Sequence, residues 1–315
     1  MAEPSSKTVV YAALIGNLLV AVTKGVAAAM TGSSSMLSEA VHSLVDTGNE
    51  VLLLYGMHRA QKRATPEHPI GYGRELYFWS FIVAVLIFAL GAGVSIFEGA
   101  AHMRNPEPVR QAWVNYVVLA LAFVFEGASW AVSLRQYLAA KGDLGFFEAF
   151  RRSKDPTSFM VLFEDSAALV GIVLAAAGTY ASASLGIPIL DGAASVAIGL
   201  VLAVVAVLLA RESKSLLIGE RADHALSDSI LRLAGEVPSV ARANGLITVQ
   251  LAPDQVLVAL SLEFADNLCT PAIEQAVTEI EKRVKAAHPE VVTLFVKPQT
   301  ERTYQEAVRR LEAGR

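Results

Sequence analysis

Cysteine, charge and net positive charge are all scarce in this chain, and each shortage excludes a class of protein. Cys269 stands alone among 315 residues, which rules out a disulfide framework and any CxxC metal cage. No HExxH occurs, and no general base pairs with a nucleophile in the pattern a water-activating metalloenzyme uses. The formal charge is -4 and the isoelectric point about 5.9, whereas a nucleic-acid partner calls for a basic face. The opening MAEPSSKTVVYAALIGNLL has neither the basic start and cleavage site of a secretory signal nor the Arg-rich amphipathic pattern of a transit peptide. Its apolar segment is therefore expected to be retained.

What the chain has in excess is apolar surface. It is 54% hydrophobic with a mean hydropathy of +0.46, too apolar for an ordinary soluble domain. Of its Asp, Glu, Lys and Arg residues, 28 fall in the first 210 positions and 28 in the last 105. The division predicts a transmembrane domain over 1–213, a cytoplasmic α+β domain over 214–298 and a charged tail over 299–315. A helix needs about 20 mainly apolar residues to cross the hydrocarbon, and six windows qualify: 8–30, 34–57, 77–101, 112–138, 157–182 and 189–210. The loops after the second and fourth windows hold nine Lys or Arg residues, from Arg59 to Arg74 and from Arg135 to Lys154. The opposite loops hold only Arg104 and Arg110. Positive charge marks the cytoplasmic side, so both termini are expected there. With no targeting segment, a bacterial inner membrane is the expected location.

In the fourth linker Phe146, Phe147 and Phe150 alternate with Arg151, Arg152 and Lys154, a pattern that suits either a short helix on the membrane surface or a plain basic loop. Beyond Ile218 the elements are short. A helix is expected at 225–235 and strands at 246–250, 256–264 and 291–296. A helix opening at Thr270–Pro271, with Thr270 as its cap, separates the last two strands. This α-β-β-α-β order describes a small two-layer sandwich.

Ionisable groups inside a membrane helix are costly and so mark function. The second window carries Glu39, His42, Asp46, Asn49 and Glu50, which form one stripe at 3.6 residues per turn. His42 and Asp46 are four apart, so an imidazole nitrogen and a carboxylate oxygen can face one point, half of a tetrahedral site. The fifth window supplies Glu164 and Asp165. The bland alternatives are a satisfied core histidine and a carboxylate paired with Lys24. Glu39 and Glu50 are expected near the two membrane surfaces, and Glu98 and Glu126 are expected to be solitary packing groups.

The stretches GNLLVAVTKGVAAAMTGSSSMLSEAVHSLVD and HPIGYGRE, with six spans and an αββαβ tail, resemble the cation diffusion facilitator family. SEAVHSLVDTGNE, PEHPIGYG and VLFEDSAALVGIVLAAAG are most similar to its zinc transporter nine-like branch. The resemblance implies a ferredoxin-like cytoplasmic domain and a homodimeric exporter. It further implies exchange of Zn²⁺, or Mn²⁺, Fe²⁺ or Co²⁺, for protons. His42, Asp46 and Asp165 match the family's transport ligands. The fourth falls on Val161, which cannot bind metal, and Glu164 is the substitute, about 100° around the helix from Asp165. Of the family's loop site only His68 and Glu67 remain, with Tyr72 at another ligand position, so that site is expected to be lost. His224 and His288 are too few for a regulatory cluster.

Neutral imidazole and carboxylates bind metal only when deprotonated, so loading releases protons and protonation ejects the ion. Imidazole with carboxylate suits Zn²⁺ and its neighbours over Mg²⁺, and the missing thiolate disfavours Cu⁺. The rival readings are an intramembrane metalloenzyme and a membrane-anchored metal-responsive regulator with vestigial transport.

Overall fold

The computed structural model describes residues 4–313, and the chain divides into two compact units between Lys214 and Ser215. The first unit is helical: α1 (Pro4–Thr31), α2 (Ser34–Ala60), α3 (Glu75–Leu86), α4 (Gly93–Arg104), α5 (Ala112–Lys141), α6 (Phe146–Arg152), α7 (Pro156–Ser184) and α8 (Ile189–Ile218). The third window, expected as one helix, is α3 and α4 joined by a π-helical turn over Ile87–Ala92. Among the described residues five helices are long and apolar enough to cross a bilayer: α1, α3 with α4, α5, α7 and α8. The 27-residue α2 is as long but carries the polar stripe.

Caps fix the helix starts. Ser33 accepts from the Met36 N–H at the head of α2. Asp155 accepts from the Thr157 N–H, with Pro156 opening α7, where its missing N–H costs nothing. Glycines let α4 and α8 touch backbone to backbone. A Cβ at Gly99 would stand 2.6 Å from the Gly192 carbonyl oxygen, and one at Gly199 would stand 3.0 Å from that of Ala92. Such small-residue seams are how helices pack where lipid removes the hydrophobic drive. Outward, large apolar side chains such as Phe97, Val124 and Val204 are exposed, as lipid contact requires. The short α6 forms, yet Phe150 is buried against Phe159 and Phe163 rather than laid on a membrane surface.

The second unit runs α9 (His224–Gly235), β1 (Val240–Ala252), β2 (Gln255–Phe264), α10 (Thr270–Ala287), β3 (Val291–Pro298) and α11 (Glu301–Ala313). The sheet order is β1-β2-β3, with β1 antiparallel and β3 parallel to the central β2. Val256, Val258, Leu260 and Leu262 alternate into a core with Ile230, Ala234, Ile280 and Val284 from α9 and α10. The cap of α10 is Cys269, which makes no side-chain cap bond, and not Thr270. The charged tail is the helix α11. Its Tyr304 sits over Gly245 of β1, in space that any Cβ would fill.

Candidate metal site

Polar groups of four helices of the first unit border one cavity of about 60 Å³, enough for an ion or a few waters. α1 supplies Asn17, α2 supplies Ser43, Asp46 and Glu50, α5 supplies Glu126 and Ser129, and α7 supplies Glu164 and Asp165. Five of these are carboxyl groups, so the space favours a cation.

On α2 the helical repeat stacks His42 against Asp46, with Nδ1 and Oδ1 3.1 Å apart. The pair is close enough for an ion contact but is not aligned as a hydrogen bond, and both imidazole nitrogens and Asp46 Oδ1 remain buried without hydrogen-bond partners. His42 does not itself border the cavity; it stands behind Asp46. Across from them, Glu164 of α7 borders the same cavity as Asp46. Asn49 Nδ2 donates to Glu164 Oε1 at 2.6 Å, which aims that carboxylate at α2. Two carboxyl groups from two helices thus border one cavity with His42 behind one of them, and among the described residues no group of three His, Cys, Asp or Glu is placed to hold a metal ion.

The neighbouring carboxylates are held elsewhere. Asp165 accepts from Ser129 at 3.0 Å and Ser133 at 3.4 Å on α5, so it borders the cavity but turns away from His42. Glu50 accepts from Asn17 at 2.6 Å. Glu39 is fully buried and paired with Lys24 at 3.0 Å. Glu126 is not solitary, since Lys24 reaches it at 2.7 Å. The pairing with Lys24 weighed from the sequence therefore holds for Glu39, and Glu126 joins it. In the α2–α3 loop His68 and Glu67 are exposed, and His68 stacks on Tyr72 with ring centroids 4.4 Å apart. His288 bonds Ser229 at 2.9 Å, and His224 meets Arg221.

Residues 10–218 match the description of the cation efflux transmembrane domain. The chain belongs to the cation efflux family. Within that family it resembles the zinc transporter nine-like branch. It is 32% identical over 243 residues to the human proton-coupled zinc antiporter SLC30A9, mitochondrial, a match covering 76% of this chain and 43% of that protein. It is 34% identical over 204 residues to metal tolerance protein C4 of Arabidopsis thaliana, covering 64% and 45%. The cation-efflux pump FieF of Cronobacter sakazakii is 26% identical over 289 residues, covering 90% of this chain and 89% of the pump. The chain thus spans less than half the length of the human and plant relatives.

The sequence named Lys24 as a carboxylate's partner but not the extent of its contacts, and it missed Asp191. Lys24 was visible as an ammonium in an apolar window, but its three partners lie on other turns and helices. Asp191, fully buried at the head of α8, accepts from Ser33, Ser34 and Ser35 at the start of α2. No sequence spacing announces a carboxylate that caps a helix 150 residues away.

Proposed function

We propose that this cation efflux protein exports a divalent metal ion, with Zn²⁺ the best-suited substrate and Mn²⁺, Fe²⁺ or Co²⁺ next, in exchange for protons. The observation that carries this reading is that Asp46 and Glu164 border one acidic cavity, with His42 directly behind Asp46. We assign His42, Asp46 and Glu164 as ligands, with Asp165 completing the set once it leaves Ser129. Asn49 orients Glu164. Glu50, near the end of the cavity toward the Lys- and Arg-rich loops, receives the ion on entry.

Each step follows from ligand chemistry. Deprotonated carboxylates and a neutral imidazole take up the ion and release protons. The site then turns to the opposite side of the membrane, where protonation ejects the ion, a population shift between two states. The human relative is a proton-coupled zinc antiporter, which supports proton coupling, and the bacterial relative is a cation-efflux pump, which supports efflux. With α2 counted as a span, the membrane domain has six and both termini lie on the positively charged side. The bacterial pump, matched over most of both chains, supports a bacterial inner membrane. The α-β-β-α-β order supports a ferredoxin-like assignment for the second unit. Exposed Ile247 and Phe295 on the outer sheet face support its role in a homodimer.

The test is proton flux from the full chain in proteoliposomes under an imposed pH gradient. Zn²⁺ should drive it in the wild type. Asp46→Asn and Glu164→Gln should abolish it while retaining the wild-type melting profile. Normal flux in Asp46→Asn overturns the site. Absence of metal-driven flux in the wild type overturns transport and favours the regulator.

A further inference from the structure

The cavity is closed at one end by a buried network that the ligand set does not use. Lys24 of α1, with no exposed surface, donates to Glu39 Oε2 at 3.0 Å, to Ser43 Oγ at 2.8 Å and to Glu126 Oε1 at 2.7 Å. One ammonium therefore ties α1 to α2 and α5. The fourth wall joins through Gly171 of α7: a Cβ there would collide with Glu39 Oε1, so the absence of a side chain is what lets Glu39 reach across.

The network lies at one level. Going from the basic loops toward the α1–α2 turn, the last residues to border the cavity are Val20 on α1, Ser43 on α2, Phe125 next to Glu126 on α5, and Ala168 on α7. About one helical turn further on stand Lys24, Glu39 and Gly171. Beyond them the same helices are packed shut by Ala27, Ala28, Met36 and Ala175, all buried. Lys24 and its partners are thus the floor between the candidate metal site and the far side of the membrane.

A permanent seal could be made of apolar side chains, because a buried ion network costs desolvation that well-packed hydrocarbon does not. Ion pairs offer what hydrocarbon cannot, a contact that can separate into water and re-form. We propose that the Lys24–Glu39–Glu126 network is the far-side gate of the transporter, closed in this state, and that its parting is the step that exposes the metal site to the far side. This rests on the transport reading above. The gate residues act by positioning helices, not by holding the ion.

The test reads access rather than flux. In a Cys269→Ser background, Ala168→Cys places a thiol on the cavity wall, and a charged, membrane-impermeant thiol reagent is applied to sealed vesicles of each orientation. With the network intact, labelling from the basic-loop side should be fast and that from the α1–α2 side slow. The combined change Lys24→Met, Glu39→Leu and Glu126→Leu, which leaves no unpaired charge, should raise far-side labelling about tenfold, as expected when a minor open state becomes a major one. Lys24→Arg, which keeps the cation, should leave it slow. If the triple variant does not fold, Glu39→Gln is read the same way, with a smaller rise in the same direction. An unchanged far-side rate in a folded variant, or equal labelling from both sides in the intact chain, overturns the gate. A chain that moves no metal but shows this side-dependent labelling overturns the transport reading instead.

Discussion

Asp191 is the residue whose loss the structure makes most expensive outside the cavity. Its carboxylate accepts from Ser33 Oγ at 2.9 Å, from the Ser34 N–H at 2.6 Å, and from Ser35 through its N–H at 3.3 Å and its hydroxyl at 2.5 Å. Two of those donors are first-turn N–H groups of α2, which have no partner within the helix, and the anion sits at the positive end of that helix's dipole. Hydrogen bonds to a charged group contribute about 1.5–3 kcal/mol each, but four on one carboxylate are not additive. Removal also relieves the carboxylate's own desolvation, so the net cost of Asp191→Ala is about 3 kcal/mol, at the low end for breaking a buried charged contact. For a chain of this size that corresponds to a fall in Tm of about 6–12 °C. Asp191→Asn keeps the shape and one acceptor but turns an amide NH₂ toward a backbone N–H, so about half the loss is expected. Tryptophan fluorescence melting of the detergent-solubilised full chain should rank wild type above Asn above Ala. An Ala variant within about 2 °C of wild type would refute the claim that this carboxylate fixes the start of α2 to α8.

Three further outcomes follow from the same geometry. Gly99→Val should cost about 1–3 kcal/mol by overpacking, because its Cβ would lie 2.6 Å from the Gly192 oxygen; an unshifted melting curve would contradict the close α4–α8 seam. Val161→Asp sets a carboxyl on the cavity wall at the family's fourth ligand position. Calorimetry should show Zn²⁺ binding tightened about tenfold, or 1.4 kcal/mol, and weaker binding would move the site elsewhere. Because the ligands must lose protons to bind, Zn²⁺ affinity should rise with pH by at least about one log unit per pH unit in mildly acid buffers, and a flat profile would exclude carboxylate and imidazole as the ligands.

The long helices were legible because a membrane leaves them few alternatives: backbone groups in lipid must bond within the segment, so apolar length suffices to place α1, α5 and α7 within a few residues, and the start of α8, which runs about two turns past the 189–210 window to Ile218. The second unit was legible for a different reason, the period-two burial of Val256 to Leu262 beside the helical repeat of Ile273 to Val284. Hydropathy could not show the π-turn at Ile87–Ala92, since the break alters hydrogen bonding and not composition. The partners of Phe150 were not legible, because aromatic residues beside arginines look the same whether the rings enter lipid or a cluster such as that around Phe159 and Phe163.

Helical spacing showed which residues of α2 share a face but not what each would meet there. Glu39 is taken by Lys24, Asn49 by Glu164 and Glu50 by Asn17, partners chosen by packing with α1 and α7. On α7 the neighbours Glu164 and Asp165 diverge by about 100°, so in this state only Glu164 faces α2. Asn49 captures Glu164, and Ser129 and Ser133 capture Asp165. What remains between them is His42 and Asp46, with three buried atoms lacking hydrogen-bond partners, each a debt of about 1–3 kcal/mol. A cation arriving beside Glu164 would engage Asp46 Oδ1 and the one unprotonated nitrogen of His42, and this is the physical reason to place the ion between α2 and α7.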